Sequence, residues 1–215
     1  MSDISTVTIV IIAANVIMSY KGFSDTSFFY QYCFKIGDIK RGENIRFLSS
    51  AFLHIDTTHL LVNMLTLYFF AEPIIIMLGV SGFLVVYFGS LILGNLLSFY
   101  FHKDDYYYTA VGASGAVVGV LYATILLQPD MMLGLFFIIP MPAYVFGIGY
   151  LLYSIWGMKN KRDNIGHDAH FGGAMGGFFI TLFLAPWVLR EHLLMVILLA
   201  VPIVLLFVLK KTGKL

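Results

Sequence analysis

The feature that most constrains this chain is a series of long apolar runs that charge hardly interrupts. A helix needs about 20 mostly apolar residues to cross a bilayer, and seven windows meet that need: about 4–20, 59–78, 82–101, 111–127, 133–157, 167–187 and 190–209. Their only charged residues are Glu72 in the second, Asp168 in the sixth, and Arg190 and Glu191 at the edge of the seventh. The runs do not alternate, so they predict helices rather than strands. Only helices or closed barrels satisfy their backbone in hydrocarbon. With 60% hydrophobic and 12% charged residues, the surplus of apolar side chains exceeds what one soluble core can hide. The expected fold is therefore an all-α polytopic membrane bundle. Met1–Ile4 has no basic stretch and no small-residue cleavage site follows, so the first run reads as a retained span.

A net charge of +1 suggests no nucleic-acid partner, and the single cysteine, Cys33, excludes an intrachain disulfide framework. Most connections are short. The first, about 21–58, is long, carries Lys21, Lys35, Lys40, Arg41 and Arg46, and holds the aromatic cluster Phe28, Phe29, Tyr30, Tyr32 and Phe34. It is too apolar for a tether and suits the membrane interface. The break at Ala185–Trp187 divides the chain into a six-helix unit, 1–187, and an additional C-terminal helix in 188–215.

Polar groups inside spans are informative because placing them in lipid is costly. His59 and Asn63, in "HLLVN", stand four apart on one helix face. Asn95 and Ser98 lie in the third run, Ser114 near the start of the fourth and His170 in the sixth. A lone serine in such a helix is most often a packing residue or bonds back to its own helix. The His59–Asn63 pair, by itself, fits ordinary interhelical bonding. However, Gly112, Gly115 and Gly119 form a bare stripe beside Ser114, and Gly173 and Gly177 form another beside His170. Two such stripes predict that the fourth and sixth helices touch and bring Ser114 to His170. A serine hydroxyl needs a base to act as a nucleophile, and histidine is the usual one. His59, Asn63 and the Ser114 N–H could then face the developing oxyanion.

In chain order, Arg46, His54, "HLLVN", "GASG" (Gly112 to Gly115) and "AHFGGAMGG" (Ala169 to Gly177) resemble the rhomboid family of intramembrane serine proteases over about residues 45–180. The resemblance implies a six-span core and a serine endopeptidase cutting transmembrane helices of other proteins. It makes Ser114 the nucleophile, His170 the base, and His59 and Asn63 the oxyanion site. Gly112 would belong to the nucleophile motif, and Gly115, Gly173 and Gly177 to the close packing around it. Arg46 would order the first loop, and His54 would be a structural hydrogen-bonder there. The fifth helix would help frame the way in for substrate. No metal or organic cofactor is implied; the partners are substrate transmembrane segments and the lipid bilayer.

The chain departs from the family pattern at three positions. Ile45 stands where a Trp is common and Ile75 where a glutamate is common. Val118 replaces an aromatic that stacks on the histidine; Tyr122 and Phe171 are the candidates to substitute for it. Ile45 and Val118 motivate the alternative of a non-catalytic rhomboid-like protein that binds or escorts membrane clients. A transporter ranks last, since neither a charged pathway nor repeat symmetry is evident. With no elaborated extramembrane domain, the expectation is a minimal prokaryotic protein of the bacterial cell (inner) membrane. The family places the N-terminus in the cytoplasm, while Lys159, Lys161, Arg162, Lys210, Lys211 and Lys214 favour the reverse by the positive-inside rule.

Overall fold

A computed structural model of the chain describes residues 4–135, 139–160 and 165–215, so Lys161 and Arg162 lie outside the described residues. In chain order the elements are α1 (Thr6–Ser24), α2 (Thr26–Tyr32), β1 (Phe34–Lys35), α3 (Ile36–Lys40), α4 (Arg46–Ser49), α5 (Thr57–His102), β2 (Thr109–Ala110) and α6 (Ser114–Leu127). They continue with β3 (Met132–Leu135), β4 (Ile139–Pro142), α7 (Ala143–Asn160), α8 (His167–Leu184), α9 (Val188–Glu191) and α10 (Leu193–Lys211). The chain is mostly helical, and α1, α5 and α10 are each long and apolar enough to cross a membrane. It is an integral membrane protein.

The expected second and third runs are one 46-residue element, α5, broken at Gly79 (φ 74°, ψ 172°). A side chain disfavours that conformation, so glycine is needed there. Contacts on either side of Gly79 reveal a reversal. Before it, His59 lies at Gly112 and Thr124 Oγ1 donates to Phe70 O, so this half of α5 runs parallel to α6. After it, Gly94 meets Ala169 while Gly89 meets Ile180, so this half runs antiparallel to α8.

The same reasoning orients the other helices. Ser5 N–H donates to Glu72 Oε1 (2.6 Å) and Ser19 lies at His54, so α1 is antiparallel to the first half of α5. Gly115 meets Gly173 and Gly119 meets Gly177, making α6 and α8 parallel. Tyr150 lies at His170 and Gly157 at His167, making α7 antiparallel to α8. At its far end, α10 sets Lys210 over the Phe101 ring (3.8 Å). The start of α1 and the end of α10 thus lie at opposite ends of the bundle. Glu72, placed inside a span by the sequence, accepts from the Ser5 N–H and the Thr8 hydroxyl at the start of α1, where a helix's positive end favours a carboxylate.

Three expectations need correcting. The bundle is not purely helical: β3 pairs antiparallel with β4, so the 133–157 window is helical only from Ala143. Pro140 and Pro142 deny that stretch the N–H groups a helix requires. The 111–127 window is helical only from Ser114, a 14-residue helix of about 21 Å against a hydrocarbon core of about 30 Å. A helix of that length is too short by itself to span the core, and all its residues after Ser114 are buried. Finally, Gly112 is outside that helix and does not extend the Gly115–Gly119 stripe.

The first loop is a folded cap. β1 pairs with β2, registering Phe34 with Ala110 just ahead of α6. Phe34, Ile36 and Ile39 form a small core with Phe47, Phe99 and Tyr108. Arg46, nearly fully buried, ties it together: it pairs with Asp38 (3.0 Å) and Glu43 (2.7 Å) and donates to the carbonyls of Tyr30 and Cys33. Four acceptors around one guanidinium satisfy a buried charge. Asn95 Nδ2 donates to Phe47 O (2.7 Å), anchoring the cap to α5.

Candidate active site

Two helices with no side chains between them set the distance at the centre of the site. A Cβ on Gly173 would lie 2.6 Å from the carbonyl carbon of Gly115, and one on Gly177 would lie 2.7 Å from that of Gly119. Neither separation is possible for a real side chain, so α6 and α8 approach backbone to backbone. The doublets in "AHFGGAMGG" serve two partners. Gly173 and Gly177 face α6, while Gly172 and Gly176 face α5, with Leu93 O and Ser90 Cα each 2.7 Å from their would-be Cβ atoms. The sequence offered the signal, two glycine pairs four residues apart, but only the first face was read from it.

This contact sets Ser114, the first residue of α6, against His170, near the start of α8. Ser114 Oγ is 2.6 Å from His170 Nε2. A hydroxyl at this distance from an imidazole has the geometry a nucleophile–base pair needs. Ser114 is partly accessible and His170 is buried. The other ring nitrogen, Nδ1, is 2.7 Å from the Tyr150 hydroxyl on α7, and the two rings stack at 5.9 Å with 28° between planes. An aromatic residue from a different helix thus meets His170, through its hydroxyl. Neither Tyr122 nor Phe171 serves: the Tyr122 hydroxyl donates to Gly147 O, and Phe171 lies within the core. Tyr150 was invisible to sequence spacing because its partner is on another helix.

Around the hydroxyl, the start of α6 offers donors. The first helical bond runs from Val117 N–H to Ala113 O (3.0 Å), so the N–H groups of Ser114, Gly115 and Ala116 have no carbonyl four residues back within the helix. A helix N-terminus favours negative charge. Gly112, at φ 129°, turns the chain into this position. A Cβ there would lie 2.7 Å from the His59 ring and 3.6 Å from Ser114 Oγ, so glycine leaves room for the imidazole. His59 therefore stands beside the serine. The Asn63 amide donates to His59 O (3.0 Å), a bond to its own helix that leaves its second hydrogen for another acceptor.

His54 braces the turn. It is fully buried, with Nδ1 2.8 Å from Ser19 Oγ and Nε2 accepting from Ala113 N–H (3.4 Å). Ser19 Oγ in turn donates to Phe52 O (3.1 Å). One neutral tautomer satisfies the whole chain: Nδ1–H donates to Ser19 and Nε2 accepts from Ala113. Burial, then the neighbouring His59, pushes the His54 imidazole down to about 3, which keeps it neutral. Arg46 bonds instead within the cap, to Asp38, Glu43 and the carbonyls of Tyr30 and Cys33.

Residues 41–187 match the rhomboid domain. RHOMBOID-like protein 12, mitochondrial, of Arabidopsis thaliana is 30% identical over 181 residues, covering 77% of this chain and 54% of that protein. Rhomboid protein 1, mitochondrial, of Saccharomyces cerevisiae is 32% identical over 153 residues, 69% of this chain and 44% of that one. The Bacillus subtilis protein named "Putative rhomboid protease YdcA" is 32% identical over 145 residues, 66% of this chain and 68% of that one. The alignments thus take in about half the length of the first two relatives.

Proposed function

The chain belongs to the rhomboid family, and on that premise we propose that it is an intramembrane serine endopeptidase. The observation that carries the reading is the 2.6 Å approach of Ser114 Oγ to His170 Nε2 at the start of a buried helix. Ser114 attacks the scissile carbonyl while His170 takes its proton. The tetrahedral oxyanion is held by the Ser114 N–H, His59 and Asn63. His170 then protonates the leaving amine, and water repeats the cycle on the acyl-enzyme.

The bundle crosses the bilayer seven times, six in the rhomboid core and once as α10, in a bacterial cell membrane. The proposed substrate is a transmembrane helix of another protein. Its carbonyls are tied up in its own hydrogen bonds, so the cleaved segment must unwind, and helix-weakening residues favour cutting. No step needs a metal or an organic cofactor.

Incubating the purified protein with a reconstituted transmembrane substrate tests this. Cleavage is expected from the wild type and lost in Ser114→Ala and His170→Ala. Cleavage that survives both substitutions overturns the assignment. The alternative, a non-catalytic client binder motivated by Ile45 and Val118, predicts client capture with no Ser114-dependent product.

A further inference from the structure

We propose that Tyr150 is the positioning residue of the site, so that the working unit is a Ser114–His170–Tyr150 relay assembled from three helices. The inference rests on the protease reading above. A base that accepts the serine proton at Nε2 must carry its own proton at Nδ1, and something must hold that proton there. Tyr150 Oη lies 2.7 Å from Nδ1, with its ring 28° from the plane of the imidazole and its centroid 5.9 Å away, so the phenol meets the histidine through its hydroxyl. As an acceptor, the hydroxyl fixes the Nδ1–H tautomer and leaves the Nε2 lone pair for Ser114, 2.6 Å away on the other side of the ring. The carboxylate of a Ser-His-Asp triad has the same orienting role but brings a charge. A phenol supplies the acceptor without burying one, which suits a site inside a membrane protein.

The relay is tied to α7. Phe146, one turn before Tyr150, stacks on it at 5.8 Å with 16° between planes. Gly147 packs closely on Tyr122 of α6 and Leu199 of α10. The tyrosine is therefore placed by contacts on both sides of its helix, and α10 contributes to them from outside the six-helix core.

The test is Tyr150→Phe, which keeps the ring and removes only the hydroxyl. Turnover of a transmembrane substrate and the rate of fluorophosphonate labelling at Ser114 should both fall about tenfold, the size of one neutral hydrogen bond. KM should stay unchanged, and the variant should remain folded with an unfolding temperature only a few degrees lower. Nitrogen-15 spectra of the imidazoles should find His170 as the Nδ1–H tautomer in the wild type, with the Nε2–H form gaining population in Tyr150→Phe. A tyrosine that only packs predicts wild-type kinetics and spectra for the variant, and that result overturns the inference while leaving the protease reading intact. A wild-type His170 already in the Nε2–H form overturns it independently of how the variant folds. Wild-type protein with no Ser114-dependent turnover at all refutes the reading beneath it instead.

Discussion

Gly173→Ala adds a single methyl group at the point where α6 and α8 touch. The new Cβ would overlap the Gly115 carbonyl oxygen and lie 2.6 Å from its carbon and 2.9 Å from Gly115 Cα, all helix backbone that no rotamer change can clear. Restoring ordinary carbon–carbon contact requires the helices to separate by roughly 1 Å. Ser114 immediately precedes Gly115, so the separation is passed to the Oγ–Nε2 distance, which starts at 2.6 Å and ends beyond hydrogen-bond range. Overpacking of this kind costs about 1–3 kcal/mol in stability, while misplacing reacting groups by about 1 Å costs about 100-fold in rate. The expected variant is folded, melts somewhat lower, and has lost about two orders of magnitude in turnover and in labelling by a serine-directed probe. Gly149→Ala is the control. Nothing lies within 4 Å of its would-be Cβ, so it should be fully active and slightly more stable. Wild-type activity in Gly173→Ala would refute the argument that bare backbone contact sets the dyad.

His54 should make stability depend on acid. The unfolded chain takes up a proton near pH 6.5, but the fold holds His54 neutral down to about 3, so stability falls as pH falls through that window. Thermal unfolding from pH 7.5 to 4.5 should show a shallower decline in His54→Gln than in the wild type. Arg46→Ala leaves the Tyr30 and Cys33 carbonyls without this donor, while Asp38 keeps Arg41 and Lys35, and should destabilise the cap by about 2 kcal/mol, seen as faster proteolysis within 30–46. Reporters fused before α1 and after Leu215 should report opposite sides of the membrane, because the two ends of the chain lie at opposite ends of the bundle; same-side signals would remove α10 as a crossing. The same fusions measure orientation. Among the described residues every Lys and Arg except Arg190 lies toward the end that holds Ser114, which by the positive-inside rule faces the cytoplasm, against the family's placement.

Much of the site was legible because it is written in small local patterns. The Gly115–Gly119 and Gly173–Gly177 stripes named the helices that touch, and the touching placed Ser114 at His170. The membrane class followed from hydropathy alone. Three features escaped for physical reasons. Tyr150 meets His170 across two helices, a contact that no periodicity encodes. The β3–β4 hairpin is as apolar as a span, so hydropathy could not separate them, although Pro140 and Pro142 marked the place. Gly112 shares the spacing of a helical stripe, yet its positive φ serves the turn and the His59 ring.

The central claim is that Ser114 is a nucleophile activated by His170. Mass spectrometry of the protein after fluorophosphonate treatment in native membranes tests it most directly. The account predicts one adduct on the peptide carrying Ser114, abolished in Ser114→Ala and strongly reduced in His170→Ala. A wild type that stays unlabelled at Ser114, or labels equally well without His170, contradicts it.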